Sequence, residues 1–321
     1  VNNTVKKVVV SAPGSTMLFG EHAVLYGGAA IACAMEARIR VEVTLRDDRE
    51  VIIRSVLGDL HAHLDRLPDD PTHRFVLELL NRWRSRLMAG VEITITSDFS
   101  HKVGLGSSAA LTVAVAAAFR HLCGLPSKPR ALLDECLVVV RNVQGSGSGT
   151  DLVASIYGGT VLYRPDTRTI TPLGEDLPIA LYYCGYKTPT PEVVARVREE
   201  RMMIPALYDH LYRVMNECTQ QATGAVRENN LKRLGRCMNV YHGLQDALGV
   251  CDKTLADMTY DLRAKGAIGV KISGSGLGDC VVALFDPAQF EGSNAIPELE
   301  GFERLPVTVS KCGVYVESDP E

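Results

Sequence analysis

The sequence predicts a two-domain α+β protein, because strands followed by helices occur twice along the chain instead of alternating regularly. Three observations carry this. The start is rich in Val, Ile and Thr, several of them alternating; from Gly106 the chain turns Ala-rich; and Pro191 to Lys265 shows apolar residues at helical spacing before strands return. The change of pattern between about Tyr163 and Pro178 sets the boundary, dividing the chain into residues 1–172 and 173–321.

In order, Lys7 to Ala12, Ala37 to Leu45, Val51 to Ser55 and Val91 to Ser97 read as strands. After the first of these, Pro13-Gly14 reads as a turn carrying Ser15. "GSSAALTVAVAAAFRHLC" and Pro126 to Val143 read as helices, the second with a basic end. A short helix ends near Tyr157 at Gly158-Gly159, and strands follow near Thr160 to Tyr163 and Ile179 to Cys184. Leu207, Leu211, Val214 and Met215, then Leu231, Leu234, Met238 and Tyr241, mark a helical layer. "AIGVKISGSG", "DCVVALF" and "VTVSKCGVYVE" supply the last strands.

The 321 residues, 46% hydrophobic and 22% charged, have the composition of a globular protein. A net charge of -4 without a long basic run argues against a nucleic-acid partner, while an anionic small molecule needs only local positive potential. Nine cysteines without a Cys-x-x-Cys pair suggest neither a disulfide framework nor structural zinc, and fit a reducing cytoplasm. No leader pattern opens the chain, and no uninterrupted apolar stretch reaches the roughly 20 residues that span a bilayer, so no membrane partner is expected.

Glycine and serine cluster in "KVGLGSSAAL", "QGSGSGTD" and "KISGSGLGDC". The first joins a strand to a helix, where free N–H groups and the helix dipole bind phosphate and where Ser107 and Ser108 either cap the helix or reach a magnesium ion. It lacks the Gly-Lys-Ser/Thr of a Walker loop and the glycine spacing of a Rossmann turn. The third cluster runs into a strand, not a helix, and reads as a tight hairpin or bulge. No cluster contains Gly-x-Ser-x-Gly, which weakens a serine hydrolase. Asp151 is either a helix cap or a carboxylate that handles a hydroxyl proton during phosphoryl transfer. Glu21 and His22, in an apolar run, are either a buried hydrogen-bonded pair or site residues. His61 and His63 have no further ligands at metal spacing and read as structural.

"APGSTMLFGEHAVLYGG", "GLGSSAA", "GSGTDLVASIYGG" and "KISGSGLGDC" together resemble, in order and spacing, the motifs of the GHMP kinases, small-molecule kinases for galactose, homoserine, mevalonate and phosphomevalonate. "GEHAVLYGG" and "YHGLQDALGVCDKTL" are most similar to the mevalonate kinases of that superfamily. The resemblance implies a ribosomal-protein-S5-like N-terminal domain and a ferredoxin-like C-terminal domain, with the site in the cleft between them. It places Gly104, Leu105, Gly106, Ser107, Ser108 and Ala109 around ATP, with Ser108 on Mg2+. It makes Asp151 the catalytic carboxylate, puts Glu21, His22, Ser15 and Thr190 on the acceptor side with Asp151, and brings in Gly274 and Ser275 from the third motif.

Two positions depart from the family pattern. Ser15 stands where the family has a lysine, which would keep the carboxylate ionised and neutralise transferring charge. Val140 stands where the mevalonate kinases carry a magnesium-ligating glutamate. Lys102 and Arg141 are the candidate replacements, with Lys102 taken as catalytic. Lys102 and Asp279 partly echo the phosphomevalonate kinases. The resemblance thus implies ATP-dependent phosphorylation of mevalonate to 5-phosphomevalonate. Phosphomevalonate kinase or another sugar or hydroxy-acid kinase is the alternative, then a non-catalytic ligand-binding relative. A homodimer is an assembly common in the family.

Overall fold

The computed structural model describes residues 6–100, 102–174, 176–289 and 296–317. Its first half is built on β1 (Lys7–Phe19), β2 (Ala30–Leu45), β3 (Glu50–Arg54), β4 (Leu60–His63), α1 (Arg74–Trp83), β5 (Val91–Ser97), α2 (Ser107–Leu122), α3 (Pro129–Gln144), α4 (Thr150–Tyr157), β6 (Thr160–Arg164) and β7 (Thr169–Gly174). The second contains β8 (Ile179–Lys187), α5 (Thr190–Met203), α6 (Pro205–Arg227), α7 (Leu231–Ala247), α8 (Lys253–Ala264), β9 (Gly269–Ser273), β10 (Gly278–Leu284), β11 (Glu303–Leu305) and β12 (Tyr315–Val316). Both halves are α+β, as the sequence predicts.

The first sheet runs β12-β1-β2-β5-β3-β4, with β6 also on β2 and β7 on β6. One face packs on α1 to α4 around Val41, Ile53, Leu80, Val113 and Leu133. The second sheet runs β11-β8-β10-β9 and is antiparallel throughout. Strand alternation divides its residues between two cores. Cys280, Val282 and Leu284 join Leu18, Phe19 and Ile31 of the first sheet beneath α6 and α7, while Val281, Ala283 and Phe285 pack on α8. The shared core is what brings the two halves together along one cleft.

Three local differences from the sequence expectation have physical causes. Pro13-Gly14 is not a turn: β1 continues through it to Phe19, with a register shift against β2 between Pro13 and Gly14. A bulge is where a strand tolerates a residue with no N–H, so Ser15 lies on a strand. "VTVSKCGVYVE" is mostly not a strand. Arg38 donates to Cys312 O (3.3 Å) and Gly313 O (2.8 Å), occupying carbonyls of that segment, and only Tyr315–Val316 pairs with β1 as a strand. Elements β4, α1, β7 and β11 fall between the predicted ones. Of these α1 carries its signal plainly, with Val76, Leu80 and Trp83 buried on one face.

Candidate active site

A cavity of about 230 Å³ opens between the two halves, bounded by β1, the N-termini of α2 and α4, the end of β8 and the β9–β10 hairpin. At α2 the N-cap is Gly106, with φ +60°, and no side chain caps the helix. Ser107 and Ser108 are therefore the first helical residues and not caps, and both line the cavity together with Gly104, Gly106 and Ala109. An uncapped helix start facing a cavity offers N–H donors and the positive end of the dipole to an anion. Leu105 is buried and faces the shared core, but its carbonyl accepts the Ser15 N–H at 2.9 Å, fixing the loop to β1. Gly14 permits this approach, because a Cβ there would lie 2.8 Å from Leu105 O.

Asp151, in the first turn of α4, accepts a hydrogen bond from Ser15 Oγ at 2.8 Å. Burial pushes its carboxyl above the ordinary aspartate range, and Asp279 adds to this, while the Ser15 hydroxyl and the Lys187 ammonium oppose it. The hydroxyl at position 15 thus orients the carboxylate without supplying charge. Helix α4 is held under β1 by Ser155 Oγ donating to Pro13 O at 2.8 Å.

Glu21 and His22 both reach the second half. Lys271 Nζ donates to Glu21 Oε1 at 2.5 Å and to Ile272 O, and this ion pair is fully buried beside the Tyr241 ring. Burial raises the Glu21 carboxyl and lowers the Lys271 ammonium from their ordinary values, and the pair's mutual attraction opposes both shifts. Glu21 Oε2 has no partner. His22 Nε2 donates to Ser275 O at 2.8 Å, so in its neutral form Nδ1 is the acceptor; burial lowers its pKa and favours that form. Ser275 Oγ donates to Thr190 Oγ1 at 3.5 Å, and Gly274, Ser275 and Thr190 line the same cavity. The third glycine cluster is a hairpin, as its residues suggest, and also a wall of the site.

The cations differ from expectation. Lys102 is exposed and does not line the cavity; Arg141 is exposed and donates to Gly147 O at 3.4 Å. Lys187, at the end of β8, does line it, with Nζ 3.0 Å from Asp279 Oδ2. Val140 lines it as an apolar side chain. Ser146 to Gly149, from the second glycine cluster, form a further part of the wall.

The sequence of this chain and its fold match known proteins. Family models described as the GHMP kinases N terminal domain and the GHMP kinases C terminal match residues 72–159 and 222–293. A Thermococcus sibiricus protein named mevalonate kinase is 33% identical over 97% of this chain and 98% of its own length. The chain belongs to the GHMP kinase family. Among solved structures, a Listeria innocua protein, Lin0012, superposes on this GHMP kinase with a TM-score of 0.84 at 22% identity, covering 97% of this chain and 99% of that one. An L. major mevalonate kinase in complex with R-mevalonate does so at 0.76 and 24%, covering 97% of each chain. A galactokinase galactose-binding signature also matches residues 2–45, the stretch containing Ser15, Glu21 and His22.

Lys187 escapes sequence reasoning because its relation to the site is a cross-strand one. It faces Gly278 across β8 and β10, a register no motif spacing encodes. Asp279 is visible in the sequence as the acidic residue before Cys280 in "SGSGLGDC" and as a partial echo of the phosphomevalonate kinases, with no sign of its contact with Lys187.

Proposed function

We propose that this GHMP kinase transfers the γ-phosphoryl group of ATP to the terminal hydroxyl of mevalonate, giving 5-phosphomevalonate. The observation that carries this is the meeting of the Asp151 carboxylate with the uncapped start of α2 in one cavity. The 33% identity to a mevalonate kinase over nearly the whole chain supports the choice of acceptor. The nucleotide phosphates lie on the Gly104–Ala109 loop. The acceptor lies toward Ser15, His22, Thr190, Gly274 and Ser275. Glu21, buried against Lys271, acts there by holding the chain around His22.

In the transfer, the acceptor oxygen bonds to the γ-phosphorus as the bond to the ADP oxygen breaks, and the hydroxyl proton passes to Asp151. A raised carboxyl pKa brings this base nearer to neutral pH. Ser15 keeps one carboxylate oxygen directed by its hydrogen bond, leaving the other for the acceptor. The residues also fit a magnesium ion. With Glu21 compensated by Lys271, the cavity retains Asp151 and Asp279 against Lys187, so a triphosphate entering alone would meet net negative charge. Ser108 is the hydroxyl that would hold the metal, and Mg2+ when bound supplies neutralisation of the phosphate oxygens.

We place the division into two units a few residues beyond 172 and 173, because β7 runs on in the first sheet to Gly174 and β8 opens the second at Ile179. The cysteines are all free, which supports the cytoplasm as the compartment. Among the described residues no helix is long and apolar enough to cross a membrane.

The galactose-binding signature favours a second reading, a sugar kinase. Purified protein with ATP, magnesium and, separately, mevalonate, phosphomevalonate, galactose and homoserine decides between them. ADP release with mevalonate is expected; release with galactose alone supports the second reading, and release with none overturns the kinase assignment for this panel.

A further inference from the structure

We propose that Lys187 is the cation that stabilises the transferring phosphoryl group in this chain, and that Asp279 positions it. The proposal rests on the kinase reading above. Phosphoryl transfer demands positive charge where the equatorial oxygens develop theirs. Among the described residues lining the cavity, Lys187 is the single Lys or Arg. The side chain at position 15, nearest Asp151, is a neutral hydroxyl.

The placement of Lys187 is built by the start of β10 and the loop it faces. The strand bulges between Gly278 and Cys280, which sets Asp279 out of the regular register opposite β8. Asp279 holds φ +74° and Leu277 φ +54°, a left-handed conformation that Asp adopts more readily than most residues and that is costly for Leu. The Asp279 side chain is thereby aimed at the phosphate loop, where the absence of a side chain at Gly104 admits it. A Cβ on Gly104 would lie 2.0 Å from both carboxylate oxygens. Lys187 Nζ meets Oδ2 at 3.0 Å, while Oδ1 is buried without a partner.

An aspartate pressed against a phosphate-binding loop opposes the ligand unless it serves a cation. Here it holds the ammonium beside the loop and within electrostatic reach of Asp151. Lys187 remains about one-third exposed toward the cavity, so the pair is accessible to substrate and is not a sealed structural bridge. The cation comes from the second half of the chain, the base and the phosphate loop from the first.

The test starts from wild-type turnover, whose absence across the four-acceptor panel overturns the kinase reading and with it this one. Given turnover, Lys187→Met is expected to lower kcat on the order of 10²- to 10³-fold, with ADP affinity by calorimetry changed less than about threefold. Lys187→Arg is expected to restore part of the loss. Asn tolerates positive φ, so Asp279→Asn removes the charge while keeping the bulge. It is expected to lower kcat about tenfold with the melting temperature unchanged, and to add nothing further in a Lys187→Met background. Turnover within threefold of wild type in Lys187→Met, or a large loss in Lys102→Met without one in Lys187→Met, would overturn the proposal. So would fully multiplicative losses in the double variant, since Asp279 would then act independently of Lys187.

Discussion

Asp151 and Ser15 show how a single hydrogen bond shapes the site's chemistry. Because burial disfavours the ionised carboxylate, Asp151→Asn removes a charge that opposes folding while an amide oxygen still accepts from Ser15. The expected result is a loss of turnover of roughly 10²- to 10⁴-fold, with a melting temperature equal to or above wild type. Two buried histidines act in the opposite sense. Burial lowers the pKa of His22 and takes that of His242 to about 4 from an ordinary 6.5. The unfolded chain therefore binds protons first on acidification. Their stability contribution is fully present above about pH 6.5 and is lost as pH falls, by roughly 3 kcal/mol for His242 by pH 4. Urea unfolding across this range, compared between wild type and His242→Gln, should show a shallower acid decline in the variant. At this scale the sequence was legible for Asp151, whose helix-start position predicts its place. It was misleading for Ser15, because Pro-Gly commonly marks a turn and only the pairing of β1 with β2 carries the strand through it.

Among elements, α2 and the β9–β10 hairpin define the cleft. The helix start was readable from Gly-rich sequence running into alanines, and the hairpin from glycines preceding "DCVVAL". Their mutual approach was not. Gly104 touches the Asp279 carboxylate, and nothing in either segment announces the other. Gly104→Ala is expected to displace the phosphate loop, raising the KM for ATP more than tenfold while far-ultraviolet circular dichroism stays unchanged. An unaltered KM would mean that the loop has room the structure does not contain. Gly235 and Gly269 make a comparable approach between α7 and β9, where a Cβ on Gly269 would lie 2.5 Å from Gly235 Cα. This brings α7 onto the strand that carries Lys271.

Across the whole molecule, the two sheets are joined by polar contacts as well as by the shared core. Thr16 Oγ1 and Ser273 Oγ share a hydrogen bond of 2.6 Å, Tyr241 Oη donates to Glu21 O at 3.0 Å, and Lys271 pairs with Glu21. Each joins β1 or its exit to an element of the second half. Removing one member of a buried ion pair leaves the other charge unpaired, so Lys271→Met is expected to cost about 3–5 kcal/mol in urea unfolding. The double variant with Glu21→Gln should recover much of that loss. The change from strand to helix patterning, twice along the chain, made the two-domain architecture legible, and the four ordered motifs mark its cleft at the end of β1, the start of α2, the α3–α4 loop and the β9–β10 hairpin. The partner of Glu21 was not, since the ion pair depends on Lys271 facing α7 on a strand whose neighbouring residues face α8.

Phosphorylation of the terminal hydroxyl of mevalonate in this cleft can be followed by ³¹P NMR of purified protein with ATP, magnesium and R-mevalonate. A phosphomonoester resonance split by an adjacent methylene is expected, growing in step with ADP and eliminated in Asp151→Asn. No phosphomonoester, or one that forms at the wild-type rate in that variant, would contradict it.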